Sequence, residues 1–371
     1  MLEYFAAAKS RISETLQRVM DEFGLEYAAV AGDLGAGAAA RIAEFSSRGK
    51  MLRGGLVRLG YDLAKGCAAE GDDDEALVLA GVAMELFQSG LLVHDDIMDR
   101  DRVRRGFPTV HVAYEENLRR GDYEDCAHHG EALGICAGDL AYFAAFRLLA
   151  GLPVSAARAR AVSGIAAREL GLVGIAQMQD VVNGAARPDS VNPFGDSPAD
   201  PDEEAILKLY RFKTGRYTFS LPLAIGAAIA GAPDGIRIAF EDAGELLGVL
   251  FQLKDDELGL FADPALLGKP VGADIRENKK TLFRLRLFEL CAPASRARLI
   301  SMFGNRDSGE TELAFVRAEV ESLGIRSQMA GRMRDYATRA EEALEPFLAI
   351  APLESSKAYR DLVAFSLERR S

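Results

Sequence analysis

Two groups of neighbouring aspartates lie far apart in the chain, and each follows an apolar segment. In LLVHDDIMDRD, Asp95 and Asp99 are four residues apart and Asp96 stands beside them. Residues four apart share one face of a helix, so these carboxylates repel each other unless a cation lies between them. Asp255 and Asp256 likewise follow GVLFQLK. Unpaired carboxylates at the ends of buried helices are costly, and we expect Mg²⁺, which carboxylate and phosphate oxygens can share, to compensate them.

A solvated acidic surface is the plain alternative for such aspartates. The segment before the first group, AGVAMELFQSGLLV, is too apolar to lie in solvent, so these acids should end a buried helix. A further acidic run, GDDDE at 71–75, instead opens a predicted helix at a glycine. We expect its acids to be solvated and favoured by the helix dipole.

Basic residues that could bind a diphosphate occur in RGKMLRGG, DRVRRG, RFKTG and LLGKPVGADIRENKKT. Each alone would pass for a surface charge. Together they exceed what one diphosphate and its metal ions require, which indicates a second anion. The candidates are Lys50, Arg53, Arg104, Arg105, Lys213, Lys269 and Lys279, with Thr214 beside Lys213.

Apolar residues recur at helical spacing along almost the whole chain, and no segment alternates like a strand. We therefore predict an all-α protein with a single domain over 1–371. Two polar segments, 119–131 and the proline-rich 184–202, are predicted to be a helix connection and a long surface loop. The predicted helices cover 3–22, 33–46, 50–65, 74–103, 108–120, 130–150, 154–183, 203–230, 236–262, 277–291, 293–304, 310–323, 325–348 and 353–369.

Composition bounds the class of protein. The 371 residues are 49% hydrophobic, which is ample for a large core, and the formal net charge of −12 argues against nucleic acid as a partner. No stretch approaches the roughly 20 uninterrupted apolar residues of a membrane span, so we expect a cytoplasmic protein without a transmembrane segment. Its cysteines have no metal-binding or redox spacing and are expected to be free thiols: Cys67, Cys126, Cys136 and Cys291.

An ordered set of motifs between about residues 49 and 282 resembles the trans-type polyprenyl diphosphate synthases, the family of farnesyl and geranylgeranyl diphosphate synthases. No one motif would settle the matter, but their common order and spacing is highly specific. The motifs are GKxxR at 49–53, ELFQSGLLVHDDIMDRDRVRRGFPTVH at 85–111, GD at 138–139, QxxD at 177–180, KT at 213–214, FQLKDD at 251–256 and GKPxGxDxxxxK at 268–279.

The resemblance implies a helical bundle of the isoprenoid synthase type with a central cavity, and an enzyme that condenses an allylic diphosphate with isopentenyl diphosphate. It implies Mg²⁺ as the cofactor, with three ions when substrate is bound. Asp95, Asp99 and Asp255 would be the main ligands, assisted by Asp96 and Asp256.

The resemblance also implies roles for the polar residues of the other motifs. Arg104, Lys213 and Lys269 would contact the allylic diphosphate, and Lys279 ends the last diphosphate-binding motif. Isopentenyl diphosphate would lie against Lys50, Arg53, Gln88 and Arg105. Thr214 and Gln252 would line the reacting carbons, while Gln177 and Asp180 would help to fix the leaving group and the metals.

This chemistry fits the residues. Breaking an allylic carbon–oxygen bond leaves a carbocation and a highly charged diphosphate, which Mg²⁺ and basic side chains can stabilise. Isopentenyl diphosphate then attacks the cation, and the departing diphosphate can take the proton that is lost. Because no protein base is required, we expect structural roles for His94 and His111.

Two positions depart from the family pattern. The second acidic motif reads DDELG, so Gly259 stands where many members have a third aspartate, and neither Glu257 nor Asp263 has the spacing to replace it. Gly54 replaces a common proline after Arg53. We expect Mg²⁺ to bind through Asp255 and water.

The helix that carries Asp95 is expected to set the product length, because each turn towards its start lies about 5.4 Å deeper in the pocket. Gly90 and Leu91, about one turn before Asp95, would form the first level at which the pocket can be closed (its first floor). Glycine leaves room there. Phe87 or Met84 would stop growth near twenty carbons, which favours geranylgeranyl diphosphate. The alternative is that Phe87 packs into the core or a dimer interface.

Two other functions stay open. A terpene cyclase also ionises allylic diphosphates, but it needs no site for a second diphosphate. A non-catalytic subunit that tunes an active synthase would explain Gly259, although the intact first cluster argues against it. Members of the family are usually homodimers, and we expect one here.

Overall fold

The computed structural model describes residues 2–187, 190–196, 198–262 and 272–369. Helices make up nearly all regular structure in these residues, so the predicted all-α class is confirmed. The helices are α1 (Leu2–Ser47), α2 (Leu52–Lys65), α3 (Gly71–Met98), α4 (Val110–Arg120), α5 (Cys126–Ala150), α6 (Ala156–Ala185), α7 (Glu203–Leu209), α8 (Leu221–Ile229), α9 (Asp234–Phe261), α10 (Ala273–Arg276), α11 (Leu282–Leu290), α12 (Pro293–Met302), α13 (Glu310–Ser322), α14 (Ile325–Leu348) and α15 (Leu353–Glu368), with a π-helical segment at Tyr210–Ser220.

The chain divides into two compact units. The first contains the described residues up to Ala166 together with Pro222–Ile238 and Phe347–Tyr359. The second contains Ala167–Leu221, Ala239–Pro346 and the described residues from Arg360 onward. A single domain over 1–371 stays a prediction.

In the first unit α3 is the central helix and packs against α1, α2 and α5. By length and composition alone, α3 and α5 could each cross a membrane. The sequence analysis had expected no segment long and apolar enough to do so. The apolar window of α3 is 78% buried inside the structure and that of α5 is 39% buried. A core helix of a globular protein gives the same signal, so the evidence for a membrane is weak.

Four predicted helices were wrong in detail. The helix expected over 74–103 ends at Met98 and is followed by a hairpin of β1 (Val103–Arg104) and β2 (Phe107–Pro108). The sequence analysis found no hairpin because each strand has only two residues. The helix expected over 203–230 contains the π-helical segment, and α1 joins two predicted helices across a break at Ala31 and Gly32.

We expected the acidic run at the start of α3 to be solvated, but two of its aspartates form ion pairs. Asp74 pairs with both Arg11 and Arg58, and Asp73 accepts a hydrogen bond from Arg158 Nη1 at 2.8 Å. The arginine partners lower the pKa of Asp74 to about 2. These ion pairs therefore connect the start of α3 to neighbouring helices of the first unit.

Candidate active site

The first acidic cluster, formed by Asp95, Asp96 and Asp99, lies at the end of α3. Asp99 caps the helix, and its N–H donates to the carbonyl of Asp95 at 2.8 Å. Asp96 is fully buried and accepts a hydrogen bond from Arg104 Nε at 2.5 Å. Asp95 and Asp99 are only half-buried. The cluster thus keeps two carboxylates accessible and holds the third inside.

The hairpin after α3 explains why arginines follow the aspartates so closely. Arg105 and Gly106 have φ angles of 54° and 78°, the left-handed pair that a tight two-residue hairpin turn needs. The turn brings Arg104 back over the end of α3, where its Nη2 also lies 3.5 Å from Asp95. Burial raises the pKa of Asp96 to about 6, while the charge of Arg104 acts in the opposite direction. Arg104, the predicted diphosphate ligand, is therefore engaged by the acidic cluster.

The GKxxR segment before α2 lies beside the buried Glu85 of α3. Glu85 accepts a hydrogen bond from the N–H of Gly54 at 2.8 Å. Burial raises the pKa of Glu85, and the charges of Arg53 and Arg105 oppose that shift, so both guanidinium groups lie near this carboxylate. Two predicted ligands of isopentenyl diphosphate therefore lie near each other. The other two, Lys50 and Gln88, lie on the neighbouring segments 49–53 and α3.

Two glycines let α3 and α5 approach closely. A Cβ atom at Gly138 would lie 2.3 Å from Nε2 of His94, which also lies 3.1 Å from the carbonyl oxygen of Ile135. A Cβ atom at Gly90 would lie 2.7 Å from the ring of Tyr142. The expectation that Gly90 leaves room in the pocket was therefore wrong, because the Tyr142 ring fills that space. His94 packs against α5, and its structural role stays a prediction.

The neighbouring chain-length candidates face different surroundings. Phe87 is fully buried, and its ring meets that of Phe146 of α5 edge to face at 4.9 Å. This is the core-packing alternative for Phe87. Met84 is also fully buried, and Leu91 is half-buried.

In the second unit the π-helical segment crosses α9 at close range. A Cβ atom at Gly248 would lie 2.0 Å from the Cα of Gly215, so only glycine fits at this crossing. Beyond it, Thr214 Oγ1 donates to Gln252 Oε1 at 2.9 Å, and Gln252 Nε2 donates to Asp256 at 2.9 Å. The widened turns of π-helix frequently occur at functional sites. The crossing thus connects Thr214 and Gln252 to the second acidic cluster.

The second acidic cluster consists of Asp255 and Asp256 of α9. Asp256 is buried and also accepts a hydrogen bond from the hydroxyl of Tyr210. Burial and the nearby charge of Asp274 raise its pKa well above the ordinary value. Asp255 is more exposed and pairs with Arg369, whose guanidinium lies 3.6 Å from the centre of the Phe251 ring. Asp255 is therefore the accessible carboxylate of this pair.

Asp180 of α6 brings two predicted diphosphate ligands together. It pairs with Lys213 and lies 3.6 Å from Lys279 Nζ. Burial raises the pKa of Asp180, but the two lysine charges outweigh burial and the net shift is downward. These groups line a cavity of about 110 Å³ together with Tyr210, Thr214, Gln252, Asp256, Asp274, Lys280 and Thr281. Lys269, the other predicted lysine ligand, lies outside the described residues.

The residues fit a magnesium ion whose coordination shell is completed by substrate phosphate. Oδ2 of Asp96 is buried and has no hydrogen-bond partner in the described structure, so an acceptor oxygen is left over there. Within the described ranges, no three His, Cys, Asp or Glu side chains enclose an ion by themselves. Mg²⁺ is commonly held by one or two carboxylates, waters and substrate phosphate, so it does not need such an enclosure.

Three residues near the site were missed by the sequence analysis. Tyr210 precedes the KT motif by three residues, and nothing in its sequence signals a hydrogen bond to Asp256. Arg369 lies near the end of the chain, remote in sequence from Asp255. Asp274 lies inside a motif that was identified, and its acidic side chain was a signal that could have been used.

Sequence comparison gives one matching family and several similar proteins. The family described as polyprenyl synthetase matches residues 39–320. A geranylgeranyl diphosphate synthase of Sulfolobus acidocaldarius is 36% identical over 332 residues, covering 88% of each chain. A geranylfarnesyl diphosphate synthase of Aeropyrum pernix is 29% identical over 351 residues, covering 95% of this chain and 99% of that protein.

Structure comparison gives the same picture. The geranylgeranyl pyrophosphate synthase of Corynebacterium glutamicum, solved with isoprenyl diphosphate and magnesium, has a TM-score of 0.84 and 28% sequence identity. The match covers 99% of both chains. The predicted fold type, a helical bundle like those of polyprenyl synthases, is therefore confirmed.

Proposed function

The chain belongs to the polyprenyl synthetase family and is a prenyltransferase, and on this premise we propose that it condenses an allylic diphosphate with isopentenyl diphosphate. The trans condensation lengthens the allylic chain by one isoprene unit. We propose geranylgeranyl diphosphate as the product, because the similar proteins of Sulfolobus and Corynebacterium carry that name. Family membership was predicted from the motifs and is confirmed.

The observation that carries this proposal is that each unit has its own set of basic residues beside a buried carboxylate. Arg53 and Arg105 act on Glu85 in the first unit, and Lys213 and Lys279 share Asp180 in the second. Two diphosphates need two sets of cations, whereas a terpene cyclase needs one set. The proposed ligands of isopentenyl diphosphate are Lys50, Arg53, Gln88 and Arg105, and those of the allylic diphosphate are Arg104, Lys213, Lys269 and Lys279.

In the proposed mechanism, Asp95 and Asp99 of the first unit and Asp255 of the second are the residues that would bind Mg²⁺, which would supply positive charge to the departing diphosphate. Lys213 and Lys279 would bind the same diphosphate and stabilise its charge as the carbon–oxygen bond breaks.

Thr214 and Gln252 are already fixed by their mutual hydrogen bond, so their dipoles can face the allylic carbons without reorganisation. Isopentenyl diphosphate attacks the cation, and the departing diphosphate takes the proton. We propose three Mg²⁺ ions in the substrate complex.

We also propose a cytoplasmic homodimer. Large apolar side chains are exposed on α5 at Ile135 and Phe143, and on α6 at Ile175, Met178 and Val181. Exposed apolar groups of this size are typical of surfaces that a partner covers. Sedimentation at several protein concentrations would test the dimer.

The product-length proposal now depends on the face of α3 that carries Asp95. Met84, Gln88, Leu91 and Asp95 share this face, whereas Phe87 and Gly90 pack against α5. We expect Leu91→Phe to shorten the main product from twenty to fifteen carbons, because the larger ring blocks the first floor. Phe87→Ala is the matched control and should keep twenty carbons. Product lengths are read by mass spectrometry. An unchanged product length in Leu91→Phe would contradict the assignment.

The function itself is tested by incubating the purified protein with Mg²⁺, isopentenyl diphosphate and each allylic starter of five, ten or fifteen carbons. We expect consumption of isopentenyl diphosphate and a twenty-carbon diphosphate as the main product. Release of a cyclic hydrocarbon without consumption of isopentenyl diphosphate would identify a terpene cyclase. No reaction by the protein alone, together with a changed product length when it is added to an active synthase, would identify a regulatory subunit.

A further inference from the structure

The π-helical segment Tyr210–Ser220 meets α9 at two points that are five residues apart along the segment. Gly215 packs against Gly248 at the first crossing. At the second crossing, a Cβ atom at Gly244 would lie 2.5 Å from the backbone nitrogen of Ser220, and Ser220 Oγ donates to a backbone carbonyl of α9 at 2.7 Å. The two α9 glycines lie on one face of that helix, because they are four residues apart. The segment therefore presents Gly215 and Ser220 to the same face of α9.

This arrangement requires the π-helical form. In an α-helix, residues five apart point about 140 degrees away from each other, so Gly215 and Ser220 could not both contact one face. In a π-helix the backbone hydrogen bonds join residues five apart, which brings these two positions to the same side. The directions of Lys213 and Thr214, which precede the first crossing, depend on the same winding. An interaction that holds the π-helical form therefore also directs the two residues of the KT motif.

Arg216 lies between the two crossings and is bound from both neighbouring helices. Its Nε and Nη2 donate to the two carboxylate oxygens of Glu169 of α6 at 2.7 and 2.8 Å, and its Nη1 donates to Glu245 of α9 at 2.6 Å. Only 13% of the side chain is exposed. Because a bidentate pair fixes the direction of a guanidinium as well as its position, Arg216 sets the rotation of the segment about its own axis.

The charges around Arg216 are buried. Glu169 is 1% exposed, and Glu241, which lies 3.5 Å from Arg216 Nη2, is 8% exposed. Burial raises the pKa of Glu169, but hydrogen bonds from Arg216 and Arg168 outweigh burial and the net shift is downward. Buried ion pairs often stabilise a fold no more than apolar side chains of the same volume do, and their best-attested use is to fix one register. The register fixed here is that of the KT motif.

Resting on the proposed function, we propose that Arg216 is a positioning residue for the allylic diphosphate. By holding the segment in its π-helical form, Arg216 keeps the KT motif in contact with Asp180 and Gln252. Among the described residues that line the 110 Å³ cavity, neither Arg216 nor its glutamate partners occur. Arg216 therefore acts through the KT motif and not by contact with substrate.

Amide hydrogen exchange, read by mass spectrometry on the full chain, tests this role without turnover. Arg216→Lys keeps the charge but loses the bidentate pair, so we expect amides within 210–220 to exchange at least about tenfold faster than in the wild type. Arg168→Lys is the matched control, because Arg168 donates to the same Glu169 from α6 and its side chain is 52% exposed. The control should leave exchange within 210–220 unchanged.

Steady-state kinetics separates positioning from a merely structural role. In Arg216→Lys the KM for the allylic diphosphate should rise at least about tenfold, the scale of one lost charge-assisted hydrogen bond. The KM for isopentenyl diphosphate should stay unchanged, since its proposed ligands lie in the first unit. A structural role would lower the fraction of active protein, and hence kcat, without changing either KM. Arg168→Lys should match the wild type in both constants.

The inference is overturned if Arg216→Lys and Arg168→Lys exchange alike within 210–220, or if the KM for the allylic diphosphate does not rise more than that for isopentenyl diphosphate. If Arg216→Lys does not fold, Glu245→Gln decides. This variant weakens the contact of Arg216 with α9 and leaves the pair with Glu169 in place, so both readouts should change in the same direction as in Arg216→Lys.

The proposed function fails differently. In that case the wild type itself would consume no isopentenyl diphosphate, and the inference would fail with it. A wild type that turns over, beside an Arg216→Lys variant with unchanged exchange and unchanged KM values, would overturn only the inference.

Discussion

In both aspartate pairs the second residue is buried and the first remains accessible. Asp96 and Asp256 are 0% and 3% exposed, whereas the side chains of Asp95 and Asp255 retain 23% and 43% of their exposure. Consecutive helical residues point about 100 degrees apart, so one aspartate faces the packed interior when its neighbour points towards solvent. The two residues of each pair therefore have different physical tasks.

The pairs differ in how the buried carboxyl is satisfied. Asp96 meets the guanidinium of Arg104, which the hairpin brings back to α3. Asp256 meets the neutral groups of Tyr210 and Gln252. Burial and the nearby charge of Asp274 raise the pKa of Asp256 well above its ordinary value, whereas the charge of Arg104 opposes the effect of burial at Asp96. The comparison teaches that one motif can be stabilised by charge at one site and by hydrogen bonding at another.

The largest effect is expected at the accessible aspartates. Asp95→Asn and Asp255→Asn should each lower kcat roughly 10²- to 10³-fold, because each weakens charge stabilisation of the departing diphosphate. Both proteins should keep the melting temperature of the wild type without metal. Steady-state kinetics at saturating Mg²⁺ measures the change in kcat. A loss below tenfold at either position would contradict the proposal that both aspartates stabilise the departing diphosphate.

Removing the charged partner of the first cluster should affect folding strongly. Arg104→Met leaves Asp96 buried without a cation, and we expect the free energy of unfolding to fall by about 3 kcal/mol. Urea unfolding at neutral pH measures the change. Arg100→Met, which alters an exposed arginine nearby, is the control and should have little effect. Equal stability of the two variants would show that Asp96 does not depend on Arg104.

Removing the neutral partner of the second cluster should cost less. Tyr210→Phe deletes one hydroxyl and leaves Asp256 its bond from Gln252, so we expect a loss of about 1–2 kcal/mol in the same assay. The hydroxyl also accepts a hydrogen bond from the N–H of Leu282 at 3.0 Å. The expected loss of stability includes this bond. A loss as large as that of Arg104→Met would contradict the smaller cost expected for a neutral hydrogen-bond partner.

The smallest expected effect is a pH dependence. Asp96 has a folded pKa of about 6 against an ordinary value of 3.8, so the folded protein binds more protons than the unfolded chain between these values. Its contribution to stability therefore falls as pH rises from about 4 to 6 and is constant above. The stability of Asp96→Asn relative to the wild type should rise across this window without divalent cations. A flat difference would contradict the raised pKa.

Sequence patterns predicted the parts of the molecule that depend on neighbouring residues. Helical periodicity placed most helices within a few residues, and the ordered motifs identified the family. The end of α3 and the π-helical segment were missed for a physical reason. A two-residue hairpin has no periodicity, and the π-helical segment meets α9 at Gly215 and Gly248, which are remote from each other in sequence.

By itself, the sequence determined the helical class and the residue types available for diphosphate chemistry, because these follow from local spacing and composition. The resemblance of its ordered motifs identified the family. Tertiary structure decided which aspartate of each pair is buried, and that Tyr142 fills the space at Gly90. It also decided that Gly215 and Ser220 meet the same face of α9. Such outcomes depend on which atoms of distant segments compete for the same volume, and spacing along one chain does not record that competition.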